Sequence, residues 1–189
     1  MWASSLHDAG LDALQWSVVL GASLVAALWD ARTRRIPNVL TGTLLLGGLV
    51  HAGVVAGLPG LADAGVACVL LALPYVVLFA IAHGGAGDAK LMGAIGAWLG
   101  LIDGTRTLVA VCVAGVVFAL AWAAARRSLP AVLGRLGLVT RGMLHLPFRR
   151  VSPMAVAAAI PAEHEGLPMP YGPAIFAGCA LAFGVTLPW

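Results

Sequence analysis

The chain has 189 residues, of which 61% are hydrophobic and only 10% charged, against the roughly 25% charged residues of a soluble domain. With a mean hydropathy of +0.97, that deficit excludes an ordinary soluble fold and points to a polytopic membrane protein. The pI near 9.1 does not indicate nucleic acid as a partner, because the basic residues gather in a few loops, the arrangement that orients a chain in a bilayer.

The apolar stretches are continuous and ~17–20 residues long, whereas membrane barrel strands alternate over ~10, so an all-α fold is expected. No polar linker divides residues 1–189, which read as one integral-membrane domain. The first run extends from Ala13 to Trp29 and ends at Asp30. Upstream of it stand Asp8 and Asp12 and no Lys or Arg, the wrong sign for a cleavable signal peptide. The basic cluster Arg32, Arg34 and Arg35 follows, and Pro37 suits the first turn of a second helix, where a missing N–H costs little. The second run, Asn38 to Ala62, is uncharged; Gly57, Pro59 and Gly60 mark its exit turn, and Asp63 opens the next connection. The third run, Ala64 to Ala82, contains Pro74, a kink tolerated where neighbouring helices satisfy the freed carbonyl.

The loop from His83 to Lys90 comes next. The fourth run, Leu91 to Ile102, is too short alone for a ~30 Å hydrocarbon core. Its first turn, with Asp88 and Lys90, must therefore lie inside the bundle or at the interface. Asp103-Gly104-Thr105-Arg106 is the expected return turn, and the fifth run, Thr107 to Ala125, stops at Arg126-Arg127. Residues 128–170 read as a cytoplasmic, interfacial insert: Leu129, Val132, Leu133, Leu136, Met143 and Leu144 approximate one helical face, with Arg135 and Arg141 elsewhere. The last run, Tyr171 to Pro188, is the sixth spanning candidate.

About six crossings put both termini on one side. The turns after runs one, three and five then share the other side, with ten of the eleven Lys and Arg residues: Arg32, Arg34, Arg35, Lys90, Arg126, Arg127, Arg135, Arg141, Arg149 and Arg150. Only Arg106 falls opposite. The positive-inside rule makes the ten-cation side cytoplasmic and leaves both termini outside.

Asp30 and Asp88 then lie at the same cytoplasmic depth. A carboxylate at a membrane edge is costly to desolvate and is a functional candidate by default. The bland alternative is a solvated helix end or a partner for Arg34 or Lys90. Gly84, Gly85 and Gly87 shift the balance at Asp88, since glycines permit left-handed backbone and close approach. Asp88 would sit at a helix N-terminus, where the dipole favours an anion. Two carboxylates within ~3 Å of one proton or water can share it, because like charges that close cannot both ionise. One takes a proton from water while the other protonates the reacting group. No metal, cofactor or nucleophilic side chain is needed.

Gly85-Ala86-Gly87-Asp88 resembles the G-x-G-D motif of intramembrane aspartyl peptidases. Asp30 with Arg34-Arg35-Ile36-Pro37-Asn38 resembles the first-aspartate motif of type IV prepilin peptidases. Pro170-Tyr171-Gly172-Pro173 is similar to the Pro-aromatic-Gly-Pro segment that begins that family's last helix. The resemblance implies a bacterial inner-membrane endopeptidase, with Asp30 and Asp88 as the pair. It implies cleavage of prepilin or pseudopilin leaders at the cytoplasmic face, just after a glycine, in company with pilus or secretion machinery. Long members carry an N-terminal domain with paired C-x-x-C motifs and methylate the product; no C-x-x-C occurs here, so methyltransferase activity is not expected.

Two rival classes remain: a small transporter or proton pathway using both acids, and a non-catalytic scaffold of a secretion complex. His83 and His164, the latter between Glu163 and Glu165, read as polar loop residues, and His51 as a satisfied or interfacial histidine. Lys90 is a snorkelling anchor or a binder of substrate acid. Arg34 and Arg35 set topology or dock an acidic substrate residue. Gly172 and Pro173 are expected to leave backbone groups free for an extended substrate. Trp2, Trp16, Trp29, Trp98 and Trp189 read as interfacial aromatics, and Cys68, Cys112 and Cys179 as small buried hydrophobes.

Overall fold

A computed structural model describes residues 2–82, 85–125 and 170–186, all helical apart from short connections. His83, His164 and all but the last residue of the 128–170 insert lie outside the described residues. Four helices are formed: α1 (Trp2–Thr33), α2 (Asn38–Ala82), α3 (Ala86–Ala125) and α4 (Gly172–Thr186). No strand occurs among the described residues.

α2 and α3 are not straight. Each is interrupted once, at a glycine with left-handed backbone: Gly57 at φ 63° in α2 and Gly100 at φ 69° in α3. A side chain would strain either position. A straight helix of 45 residues would run about 70 Å, and the two ends of α2 could not meet. They do meet, because Asn38, Thr41 and Leu45 line one cleft with Cys68, Ala72 and Val76. In α3, a Cβ built on Gly104 would lie 3.8 Å from the Cα of Gly96, so that helix also folds back on itself. The exit turn expected at Gly57 is where the chain turns. The return expected at 103–106 comes earlier, at Gly100, and Asp103 and Arg106 instead form an i,i+3 ion pair of 2.8 Å within the helix.

Asp63 is not the start of a connection. It lies inside the second arm of α2 (58–82), and its Oδ2 accepts a 3.1 Å hydrogen bond from the N–H of Leu101, just past the Gly100 break. The break exposes backbone donors as any helix start does, and a carboxylate from the neighbouring arm satisfies one of them. Asp63→Ala is expected to lower unfolding stability by about 1 kcal/mol, read as a reduced thermal midpoint in detergent.

Small residues make the closest helix contacts. A Cβ on Gly96 would come 2.6 Å from the Ala67 carbonyl oxygen, and one on Gly48 would come 2.9 Å from the carbonyl carbon of Ala97. Ala26, Ala67, Ala94 and Ala174 are buried, as are Ser23 and Thr107, whose hydroxyls bond back to Leu20 and Asp103 carbonyls. Leu71, Leu91, Met92, Ile95 and Ile175 fill the space between these contacts, while other large apolar residues point outward: Val54 and Leu58 are each 80% exposed. Small residues at the contacts and large apolar residues outside are the pattern of helices packed in lipid, where close backbone approach drives association. Three helical stretches, Asp12–Thr33, Asn38–Ala80 and Ala86–Ala125, are long and apolar enough to cross a membrane.

α2 packs on α3, and α4 sits between α3 and α1. α1 and α4 are antiparallel: Trp16 meets Phe183 at 5.5 Å near one end, and Asp30 meets Gly172 at the other. Trp16 is therefore a core residue and not an interfacial anchor. Trp98 is also turned inward; its Nε1 donates to the Leu44 carbonyl at 2.7 Å and its ring stacks on His51. Of the satisfied or interfacial histidine expected at 51, the first is not found: its Nε2 is buried without a hydrogen-bond partner. Cys179 is buried as expected, whereas Cys112 lies on the exposed apolar face of α3.

Candidate active site

Asp30 occupies the last turn of α1 and is 6% exposed. Its Oδ2 accepts a 2.8 Å hydrogen bond from the N–H of Gly172, the first residue of α4. That N–H is one of the orphan donors of a helix start, and the carboxylate lies at the positive end of the helix dipole. Pro173 follows without an N–H of its own, so the start of α4 directs few other donors at the acid. Tyr171 supplies the carbonyl that accepts from Ala174 and Ile175, at 2.9 and 3.2 Å. Only glycine fits at 172: a Cβ would lie 2.9 Å from Asp30 Cβ and 3.1 Å from the Cα of Ala27. The Gly172 N–H is thus committed to Asp30, not left free for a substrate strand as the sequence suggested.

The segment after Asp30 is shaped by Arg34. Its N–H donates to the Asp30 carbonyl at 2.8 Å and its φ is +55°, which ends α1 in a left-handed residue. Glycine is the usual residue there, and an L side chain costs about 1 kcal/mol or more. The Arg34 guanidinium also has a buried nitrogen, Nη1, with no hydrogen-bond partner. Arg34→Gly is expected to raise unfolding stability by about 1 kcal/mol, measured as a higher thermal midpoint. A lower midpoint would mean that the guanidinium packing outweighs the backbone strain. Arg35 is exposed, and its carbonyl accepts from Thr33 Oγ1 at 3.1 Å. Pro37 stands one residue ahead of α2, its carbonyl accepting from Thr41 N–H at 3.3 Å.

Asp88 lies in the first turn of α3, and its N–H donates to the Gly85 carbonyl at 3.2 Å. The carboxylate folds back over Gly85, where a Cβ would come 2.5 Å from Oδ2. A Cβ on Gly87 would lie 3.2 Å from Ile36 Cβ, so the connection after Asp30 rests on this glycine. Of the two uses expected of these glycines, left-handed backbone and close approach, the second is found: neither has positive φ. What they provide is room, one for the acid and one for Ile36. Lys90 then donates to Asn38 Oδ1 at 2.8 Å and ties the start of α3 to the start of α2. These contacts bring the Asp30 segment and the Asp88 segment to one end of the bundle, and Asp30 lies within electrostatic reach of Asp88.

Beside them is a residue the sequence reading passed over. Tyr75, in the second arm of α2, is 7% exposed and meets Tyr171 edge-on, ring centroids 6.0 Å apart. The two hydroxyls approach without hydrogen-bond geometry, and Tyr75 Oη is buried with no partner. Tyr171 Oη packs over Gly115, where a Cβ would collide with it. The available signal was a lone phenol in an apolar run, directly after Pro74. Between the two arms of α2 and the start of α3, a cleft of about 400 Å³ is lined by Asn38, Thr41, Leu45, Val76 and Lys90. Among the described residues, no three or more His, Cys, Asp or Glu side chains come together as a metal-binding group.

A helical membrane protein that gathers two acids from separate helices at one end of its bundle is the class these features define. Residues 17–120 match the type IV leader peptidase family, a span that includes both acids, and the chain belongs to that family. It is accordingly a leader-peptidase-like protease. No curated protein and no solved structure matches the chain.

Proposed function

We propose that the chain is an aspartic endopeptidase of the bacterial inner membrane that removes the leader peptide of prepilin or pseudopilin proteins at the cytoplasmic face. The observation that carries this reading is the convergence of Asp30 and Asp88 from the end of α1 and the start of α3, braced by Gly172, Ile36 and the Lys90–Asn38 bond. The pair holds one proton between its carboxyls and binds a water. The ionised carboxylate takes a proton from that water as its oxygen attacks the scissile carbonyl carbon. The protonated carboxyl stabilises the carbonyl oxygen. Collapse of the tetrahedral intermediate breaks the C–N bond, and a carboxyl proton passes to the leaving amine.

The breaks at Gly57 and Gly100 support six crossings, with both termini outside and both acids beside the cytoplasmic cations. A hydrophobic substrate helix docks laterally from the bilayer, while its leader stays near Arg34 and Arg35. The cleaved stretch is extended, since a helical peptide hides its carbonyls in i→i−4 bonds; the first backbone N–H groups of α3, at Ala86 and Gly87, are suited to pair with it. Pilus or secretion machinery is the expected company of such a peptidase. A proton pathway would need further free acids, whereas Asp63 is occupied at Leu101 and Asp103 at Arg106.

The test is cleavage of purified prepilins by the detergent-solubilised protein, read by mass spectrometry. One cut after a glycine ahead of the hydrophobic helix is expected. Folded protein that cuts none of a panel of prepilins and pseudopilins would overturn the reading.

A further inference from the structure

The peptidase reading gives the oxygen of the scissile carbonyl one donor, the protonated carboxyl, which must later part with its proton. The structure holds an unused donor beside the acids. Tyr75 sits on the inward stripe of its helix arm with Ala67 and Leu71, while Val76, Val77, Leu78 and Phe79 after it are all about half exposed. Its hydroxyl is enclosed, and the Tyr171 hydroxyl that it faces stands outside hydrogen-bond geometry. An orphaned buried hydroxyl costs about 1–3 kcal/mol, a cost that phenylalanine in the same place would avoid. Packing against Tyr171 needs only the ring, which meets its neighbour edge-on at 64°. Shape therefore explains the ring and leaves the oxygen unexplained.

The position explains it. Tyr75 meets Tyr171, and Tyr171 adjoins Gly172, whose N–H holds Asp30. The other acid, Asp88, is within electrostatic reach of the same phenol. A preorganised donor in a dry site, aimed where negative charge develops, is an oxyanion-hole element.

We propose that Tyr75 is a further catalytic residue, its hydroxyl donating a hydrogen bond to the scissile carbonyl oxygen as that oxygen becomes an oxyanion. The bond forms fully only in the tetrahedral intermediate. The Tyr75 proton stays on its oxygen throughout, so the proton traffic of the two acids is unchanged. The assignment rests on the peptidase reading above.

The test compares wild type, Tyr75→Phe and Asp88→Asn in prepilin cleavage. It adds the affinity of a prepilin peptide whose scissile bond is replaced by a hydroxyethylene isostere, and the thermal midpoint. For Tyr75→Phe, kcat is expected to fall about 10²-fold with KM changed by less than about twofold. Isostere affinity falls with kcat, and the midpoint holds or rises, since an unpaired polar atom has been deleted. A kcat within about threefold of wild type overturns the assignment. So does a fall in kcat matched by equal losses in substrate affinity and midpoint, which would make Tyr75 a packing residue. Wild type that cleaves nothing, like Asp88→Asn, removes the peptidase reading and this assignment together, whereas active wild type beside active Tyr75→Phe removes this assignment alone.

Discussion

Asp30→Asn and Asp88→Asn are each expected to lower prepilin cleavage by about 10⁴-fold or more, with the folded protein intact. Asparagine matches aspartate in size but can neither take a proton from water at neutral pH nor hand one to the leaving amine. Its amide oxygen still accepts from the Gly172 N–H, so Asp30→Asn keeps the contact that seats α4 on α1. Asp30→Ala would lose the chemistry and the contact together and is the poorer test. At Asp88 the first turn of α3 is held by the Gly85 carbonyl, which the backbone N–H of any residue reaches. Cleavage rate per folded molecule, with the thermal midpoint alongside, separates the two effects. A variant that retained cleavage would remove its residue from the pair.

The second large effect is expected at a glycine. Gly172→Ala adds one carbon that would lie 2.9 Å from Asp30 Cβ and 3.1 Å from Ala27 Cα. Neither atom is the end of a flexible side chain, so no rotamer change relieves the clash. α4 must retreat from α1, and the 2.8 Å hydrogen bond from residue 172 to Asp30 lengthens with it. Small-to-large changes in packed interiors cost about 1–3 kcal/mol, and cleavage is expected to fall about 10²-fold from the misplaced acid. Gly178→Ala is the matched comparison, because its Cβ would strike the Val111 backbone farther along the same helix. Both variants lose stability, but only Gly172→Ala loses activity in the fraction that remains folded. Equal loss in both would mean that Gly172 only packs.

Much of this was legible without coordinates. Hydropathy is a property of each run alone, so the all-helical membrane class and the turn at Gly57 could be read directly. The two acids stood out because charge in such a chain is rare, and Gly85, Gly87, Lys90 and Asn38 were singled out with them. Their roles were not. The two glycines could have served by left-handed backbone or by close approach, and they serve Asp88 and Ile36 by the second, by being small. The return turn was expected at 103–106, because Asp-Gly is a turn signal, but the break falls at Gly100, where Asp63 from another arm caps the next helix.

The amino-acid sequence by itself determined that this is a helical membrane protein with two rare acids at run ends, since solvent preference and backbone conformation are local. The tertiary structure alone decided which groups those acids meet. Asp30 meets an N–H far along the chain, Lys90 meets Asn38, and Tyr75 meets Tyr171, the residue before Gly172. Such partnerships depend on which helix faces touch. Where glycine and alanine make the helix contacts, many faces look alike in sequence, and only a close backbone approach shows which of them meet.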